Sequence, residues 1–141
     1  MALKSSDWYK QQYNQLDCTL TFSGVGAGTA FIRNDKLYID VTTAAAVSTT
    51  SITLSTPMSF KIIDVYAIRN GGNAAVIDLL NGAGGTSIIT TALTQAADTD
   101  IDRAVKINDA ANSFTEGDDD LVVSVGTATL TGMIVCSILP T

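Results

Sequence analysis

Histidine is absent from this chain of 141 residues. That absence removes Ser-His and Cys-His nucleophile pairs, imidazole metal sites and His-based general acid–base catalysis. Charge is scarce as well: 16% of residues are charged, and eight Lys plus Arg stand against 14 Asp plus Glu, for a net charge of −6. A surface of that sign repels phosphate backbones and anionic lipid, so no nucleic acid and no membrane is expected as a partner. No stretch approaches the roughly 18 unbroken apolar residues of a membrane span. The opening MALKSSDWYKQQYNQLD lacks the apolar run and small-residue cleavage site of a secretory signal, so synthesis in the cytoplasm is expected. The two cysteines, Cys18 and Cys136, show neither the CxxC spacing of a redox motif nor the clustering of a zinc site. They read as reduced thiols embedded in strands, where they act as small apolar side chains, with a disulfide between them left open.

What the chain does hold is apolar residues, 46% of the total. At this length that is enough for one domain whose core needs neither disulfides nor a structural metal. Two kinds of sequence lie side by side. Residues 1–17 form a polar N-terminal arm rich in Gln, Ser and Lys, yet they carry Trp8, Tyr9 and Tyr13, three of the nine aromatics. Residues 18–141 read as short β-branched runs broken by Gly, Asn, Asp and Ser. Strands are expected at 19–23, 28–33, 36–43, 51–56, 60–70, 75–80, 87–91, 103–108, 121–126 and 128–139. Helix signals are weak and confined to the arm, 94–97 and 109–113.

The breaks between strands carry turn chemistry. Asn34-Asp35, Asn70-Gly71-Gly72-Asn73 and Asn81-Gly82-Ala83-Gly84-Gly85 supply residues that tolerate left-handed backbone. Gly126-Thr127 separates two apolar runs and predicts a tight C-terminal hairpin with Gly at positive φ. Strands joined so closely are antiparallel, which excludes a doubly wound α/β fold. The expected fold is therefore all-β: an antiparallel sandwich of about eight to ten strands, of jelly-roll type. The last strand is apolar on both faces, with Leu130, Ile134 and Ile138 on one and Met133, Val135 and Leu139 on the other. Such a strand is either central in a two-layer stack or covered by a neighbouring subunit.

No motif for catalysis survives its context. Gly24-Val25-Gly26-Ala27-Gly28-Thr29 resembles a dinucleotide loop, but strand rather than helix follows it, and no Lys-Ser or Lys-Thr pair follows any glycine run. Asp98, Asp100 and Asp102 alternate as in a calcium loop, yet Arg103 stands where Gly is required and Asp109 where a bidentate Glu is expected. Asp40, Asp64 and Asp78 interrupt apolar strands and read as outward, solvated carboxylates. No catalytic residue, no cofactor and no metal is expected. The arm is different. Trp8, Tyr9 and Tyr13 have aromatic area to bury and no core of their own, which suits anchors on another chain. Asn70 and Asn81, in the turns, are the remaining candidate contact residues.

The length, the aromatic arm, the Gly/Ala/Thr-rich sandwich and the closing stretch EGDDDLVVSVGTATLTGMIVCSILPT, residues 116–141, together resemble a capsid decoration, or cement, protein of a tailed bacteriophage. The resemblance implies a structural virion protein on the outer capsid surface. Its expected partners are the major capsid protein and other copies of itself, as a homodimer or homotrimer. It implies no catalytic site, because reinforcement works by mass action: a protein that binds the assembled lattice and not its parts stabilises the lattice. The competing reading is a receptor- or carbohydrate-binding sandwich of fibre-tip or adhesin type. Loops made mostly of Gly, Ala, Asn and Thr give it little support.

Overall fold

The structure, a computed structural model, describes residues 15–44, 49–72, 75–95, 101–127 and 129–141. Trp8, Tyr9, Tyr13, Asp98 and Asp100 lie outside the described residues. The strands are β1 (Leu16–Cys18), β2 (Leu20–Phe22), β3 (Gly26–Arg33), β4 (Lys36–Thr43), β5 (Thr50–Leu54), β6 (Phe60–Gly72), β7 (Ala75–Asn81), β8 (Thr86–Ser87), β9 (Leu93–Gln95), β10 (Ile101–Arg103), β11 (Ser113–Phe114), β12 (Leu121–Val125) and β13 (Leu130–Pro140). Sheet A runs β1-β3-β4-β13-β6-β10, with β11 also on β6, and sheet B runs β2-β5-β12-β7-β8, with β9 also on β7. Every pairing is antiparallel. Sheet A already includes Leu16 and Asp17, which the sequence placed in the arm.

The chain is wound as a jelly roll. β4 pairs with β13, β5 with β12, β6 with β10, and β7 with β8 and β9, so that partners nest inward from the two ends of the path. The expected all-β antiparallel sandwich is therefore the fold. Alternation builds it: in β4, Leu37, Ile39, Val41 and Thr43 are buried while Tyr38, Asp40 and Thr42 face the other way. Inward residues of both sheets meet in one core, with Ile39, Val65, Ile134 and Cys136 from sheet A against Ile52, Leu79, Val123 and Val125 from sheet B. Each such aliphatic side chain contributes about 1.5–3 kcal/mol by leaving water. Phe60 and Phe114 add a stacked pair with centroids 5.4 Å apart.

Two of the expected hairpins form and two do not. Asn34 and Asp35 adopt φ of 49° and 58° between β3 and β4, and Gly82 and Gly84 adopt 83° and 66° between β7 and β8. The C-terminal hairpin is overturned: β12 lies in the middle of sheet B and β13 in the middle of sheet A. Gly126 has no positive φ, and its N–H donates to the Val76 carbonyl at 2.9 Å. β13 is largely apolar on both faces and β12 buries Leu121, Val122, Val123 and Val125, and two such strands cover more area at the centres of opposing sheets than side by side in one. The break after Asn70-Gly71-Gly72 likewise carries the chain from β6 in sheet A to β7 in sheet B. Of the weak helix signals, Thr94 and Gln95 lie in β9 and 109–113 form a turn leading into β11, while 96–97 and residues 1–14 of the arm lie outside the described residues.

β6 departs from regular alternation twice, where its register on β13 shifts. Ile63 and Asn70 are the extra residues of these bulges, so both turn outward beside buried neighbours Ile62 and Arg69. At the first, the Ile62 N–H donates to the Asn112 carbonyl at 2.9 Å, and Asn112 Nδ2 donates back to the Ile62 carbonyl at 2.8 Å. At the second, Gly132 packs so closely on β6 that a Cβ there would lie 2.5 Å from the Ile68 carbonyl oxygen. Gly132→Ala is therefore expected to cost about 1–3 kcal/mol through forced separation of β13 from β6, read as a lower urea midpoint with an unchanged m-value.

Candidate functional site

The two sheets present unlike outer faces. On sheet B the outward positions of β5, β12 and β7 carry Ser51, Thr53, Ser124 and Asp78 together with Val122, Val76 and Leu80, and no described aromatic joins them. On sheet A the outward positions of β3, β4 and β6 carry Phe31, Tyr38 and Tyr66, each set between two buried apolar neighbours. Registers place them in one line. Asp17 pairs with Phe31, Phe31 with Tyr38, Tyr38 with Val135, Val135 with Tyr66, and Tyr66 with Arg103. A single row thus crosses six of the seven strands of sheet A, from β1 to β10, on its water side, about 24 Å at the usual strand spacing.

Neighbours within the row cover one another. The Phe31 and Tyr38 rings stack with centroids 5.1 Å apart and planes 28° from parallel. Val135, between Tyr38 and Tyr66, is only 2% exposed although it points away from the core. The Arg103 guanidinium lies over the Tyr66 ring at 5.4 Å, and its Nε is 3.5 Å from Asp64 Oδ2. That ion pair is on the surface and contributes at most about 1 kcal/mol. Phe31 and Tyr38 therefore turn their faces to each other, and Arg103 covers a face of Tyr66.

An apolar strip borders the row. Met133 pairs with Ile68 and Ile68 with Ile101, which is 67% exposed. Beside it lies a hollow of about 230 Å³ lined by Asp40, Ile68, Asn70, Thr131, Gly132 and Met133. Asn70, named from sequence as a contact residue, is thus on the rim of this face, turned outward by its bulge. Asn81 is elsewhere: its Nδ2 donates to the carbonyls of Ala111 and Ser113 at 2.9 and 3.1 Å, tying β7 to the segment before β11. Four cations, Arg33, Lys36, Lys61 and Arg103, share the outer face of sheet A with only three carboxylates, Asp17, Asp40 and Asp64. On a chain of net charge −6 this is where another acidic surface is least repelled.

The carboxylates named from sequence do structural work. Asp64 Oδ1 accepts the Val65 N–H, Asp78 accepts Ser87 Oγ at 2.6 Å and the Leu79 N–H at 2.8 Å, and Asp102 accepts the Thr94 N–H at 2.6 Å. Asp119 closes the turn after β11 by accepting the Thr115 N–H. Among the described residues no group of His, Cys, Asp or Glu could hold a metal.

Both cysteines are free. Cys18 pairs with Ala30, Ala30 with Ile39 and Ile39 with Ile134, so Cys18 is about 14 Å, three strand spacings, from β13 and out of disulfide range of Cys136. Burial pushes both thiols up to about 12, with Asp17 adding to the effect at Cys18 and Asp64 at Cys136. Their contribution to stability as neutral groups is complete below the ordinary thiol value of 9.0 and is lost as pH rises toward about 12. Alkylation by iodoacetamide near pH 8.5 is expected to be at least tenfold slower in the folded chain than in urea, since the thiolate is the nucleophile; mass spectrometry reads it.

No family model matches the sequence, and no curated protein matches it. Among solved structures, the enzymatically active domain of tailspike protein 4 from bacteriophage CBA120 is 14% identical with a TM-score of 0.38, over 86% of this chain and 19% of that one. A carbohydrate-binding module chain, "CBM4 structure and function", is 13% identical with a TM-score of 0.36, over 86% of each chain. The chain thus spans less than a fifth of the tailspike chain. No functional argument rests on either.

Proposed function

We propose that this chain is a non-catalytic structural module that docks onto a larger protein assembly through the outer face of sheet A. The assembly that best fits the sequence resemblance is the outside of a tailed-phage capsid, with the major capsid protein as partner. One observation carries the reading: Phe31, Tyr38, Val135 and Tyr66 form a row on the water side of sheet A, with Phe31 stacked on Tyr38, Asp17 and Arg103 at its ends, and Met133, Ile68 and Ile101 along its border. A face of this kind gains free energy when another surface removes it from water, and tyrosines are common anchors in such interfaces. Binding only to the assembled lattice would stabilise that lattice without any chemical step.

The orientation of the rings separates this reading from a glycan platform. A sugar stacks on an aromatic whose face lies open to solvent. Here Phe31 and Tyr38 face each other, Val135 lies between Tyr38 and Tyr66, and Arg103 covers Tyr66. Faces covered in this way favour a shaped protein surface as the partner.

The double variant Met133→Lys, Ile101→Asp is expected to bind purified capsids at least tenfold more weakly in co-sedimentation, while its thermal midpoint stays within a few degrees of wild type. Val76→Asp, on the outer face of sheet B, is expected to leave binding unchanged. Equal loss in both, or in neither, would remove sheet A as the docking face.

A further inference from the structure

Sheet A has a second surface at right angles to this face: the open edge of β3. β1 pairs only with Ala30, Phe31 and Ile32, and then the chain leaves the sheet. Thr19 is drawn to sheet B, where its N–H donates to Ser55 Oγ at 3.0 Å and its carbonyl accepts the Ser55 N–H at 3.1 Å. β2 accordingly continues on β5. Gly26, Ala27, Gly28 and Thr29 are left paired with β4 on one side, and among the described residues no strand pairs with the other.

Proteins guard such edges with charges, proline or bulges. This one has none: its sequence is Gly-Ala-Gly-Thr, in regular register with β4. Alongside it runs a groove of about 570 Å³, with Leu20 and Phe22 on the sheet B side, Cys18, Ala30 and Phe31 on the sheet A side, and Gln15 and Asp17 at one end. Gly28 cannot fill it, because a Cβ there would meet the Asp40 carbonyl oxygen at 2.3 Å. The result is a free backbone edge beside an apolar trough, the pair of features that added strands use: main-chain bonds for affinity and pockets for alternate side chains.

We propose that this edge receives the N-terminal arm of a second copy of this chain, adding as a strand next to Gly26–Thr29. Residues 1–14 precede Gln15 and reach about 46 Å when extended. β1 is antiparallel to β3, with Leu16 beside Ile32 and Cys18 beside Ala30, so the residues to which the arm is joined lie at the Arg33 end of β3, the end opposite Gly26–Thr29. In an extended arm Tyr9, Gln11 and Tyr13 share one face and Trp8 takes the other, so alternate aromatics are available for the Leu20–Phe22 trough. Exchange of identical arms closes a symmetric oligomer. The proposal does not depend on docking to a capsid: edge and face share only Asp17 and Phe31, and Gly26–Thr29 take no part in the row.

Sedimentation velocity of the full chain tests it, together with carbodiimide cross-linking of a mixture of ¹⁴N and ¹⁵N chains, read at Lys10 and Asp17. The expected result is an oligomer, cross-links joining light to heavy chains, and a folded monomer for Trp8→Ala, Tyr9→Ala, Tyr13→Ala. If that variant fails to fold, hydrogen exchange on wild type replaces it. The Gly26–Thr29 amides that do not face β4 are then expected to exchange at least tenfold more slowly in the oligomer than after dilution to monomer. A wild-type monomer at all concentrations, cross-links only within one chain, an oligomer that survives the triple variant, or unprotected edge amides would overturn it. Capsid binding by the monomeric variant is read separately, so loss of arm exchange and loss of docking are distinguishable.

Discussion

β13 is bonded along its length on both sides, to β4 from Leu130 to Ser137 and to β6 from Leu130 to Pro140. The sandwich depends on this strand. Its even positions, Leu130, Ile134, Cys136 and Ile138, are buried in the core, and its odd positions form the middle of the outer face. Because side chains alternate with a period of two, fixing the register of β13 fixes at once which residues of β4 and β6 face water. Tyr38 and Tyr66 come to lie on either side of Val135 only because both neighbouring strands are held in step with it.

The aromatic row is also a stiffening device. Ring stacking, packing over Val135 and the guanidinium on Tyr66 link strands that backbone hydrogen bonds already join. Such pairs contribute roughly 0.5–1.5 kcal/mol each beyond their buried area. A rigid face loses little conformational entropy on binding. The same sheet ends in a glycine-rich edge with no guarding charge.

Much of the fold was legible because it is local. Alternation in β4 and β12, the Asn34-Asp35 turn and the glycines at 82 and 84 report their own geometry, since side-chain direction and positive φ are set by nearest neighbours in the chain. The misread hairpins fail for the complementary reason. Gly126-Thr127 and Asn70-Gly71-Gly72 allow the chain to turn, but a turn residue does not say whether the next strand pairs with the last or crosses to the other sheet. Asn81 likewise looked like an exposed turn residue. Its amide is instead bonded to carbonyls some 30 residues away in sequence.

The sequence by itself determined the class of the molecule: an acidic, histidine-free, all-β domain. It also held the signal for the aromatic face of sheet A, in Phe31, Tyr38, Tyr66 and Val135, each placed between two core residues and so on the opposite side of its strand. Only the tertiary structure joined these four, because they come from four strands scattered between residues 26 and 140, and cross-strand neighbours are chosen by sheet order and register, which no local pattern encodes.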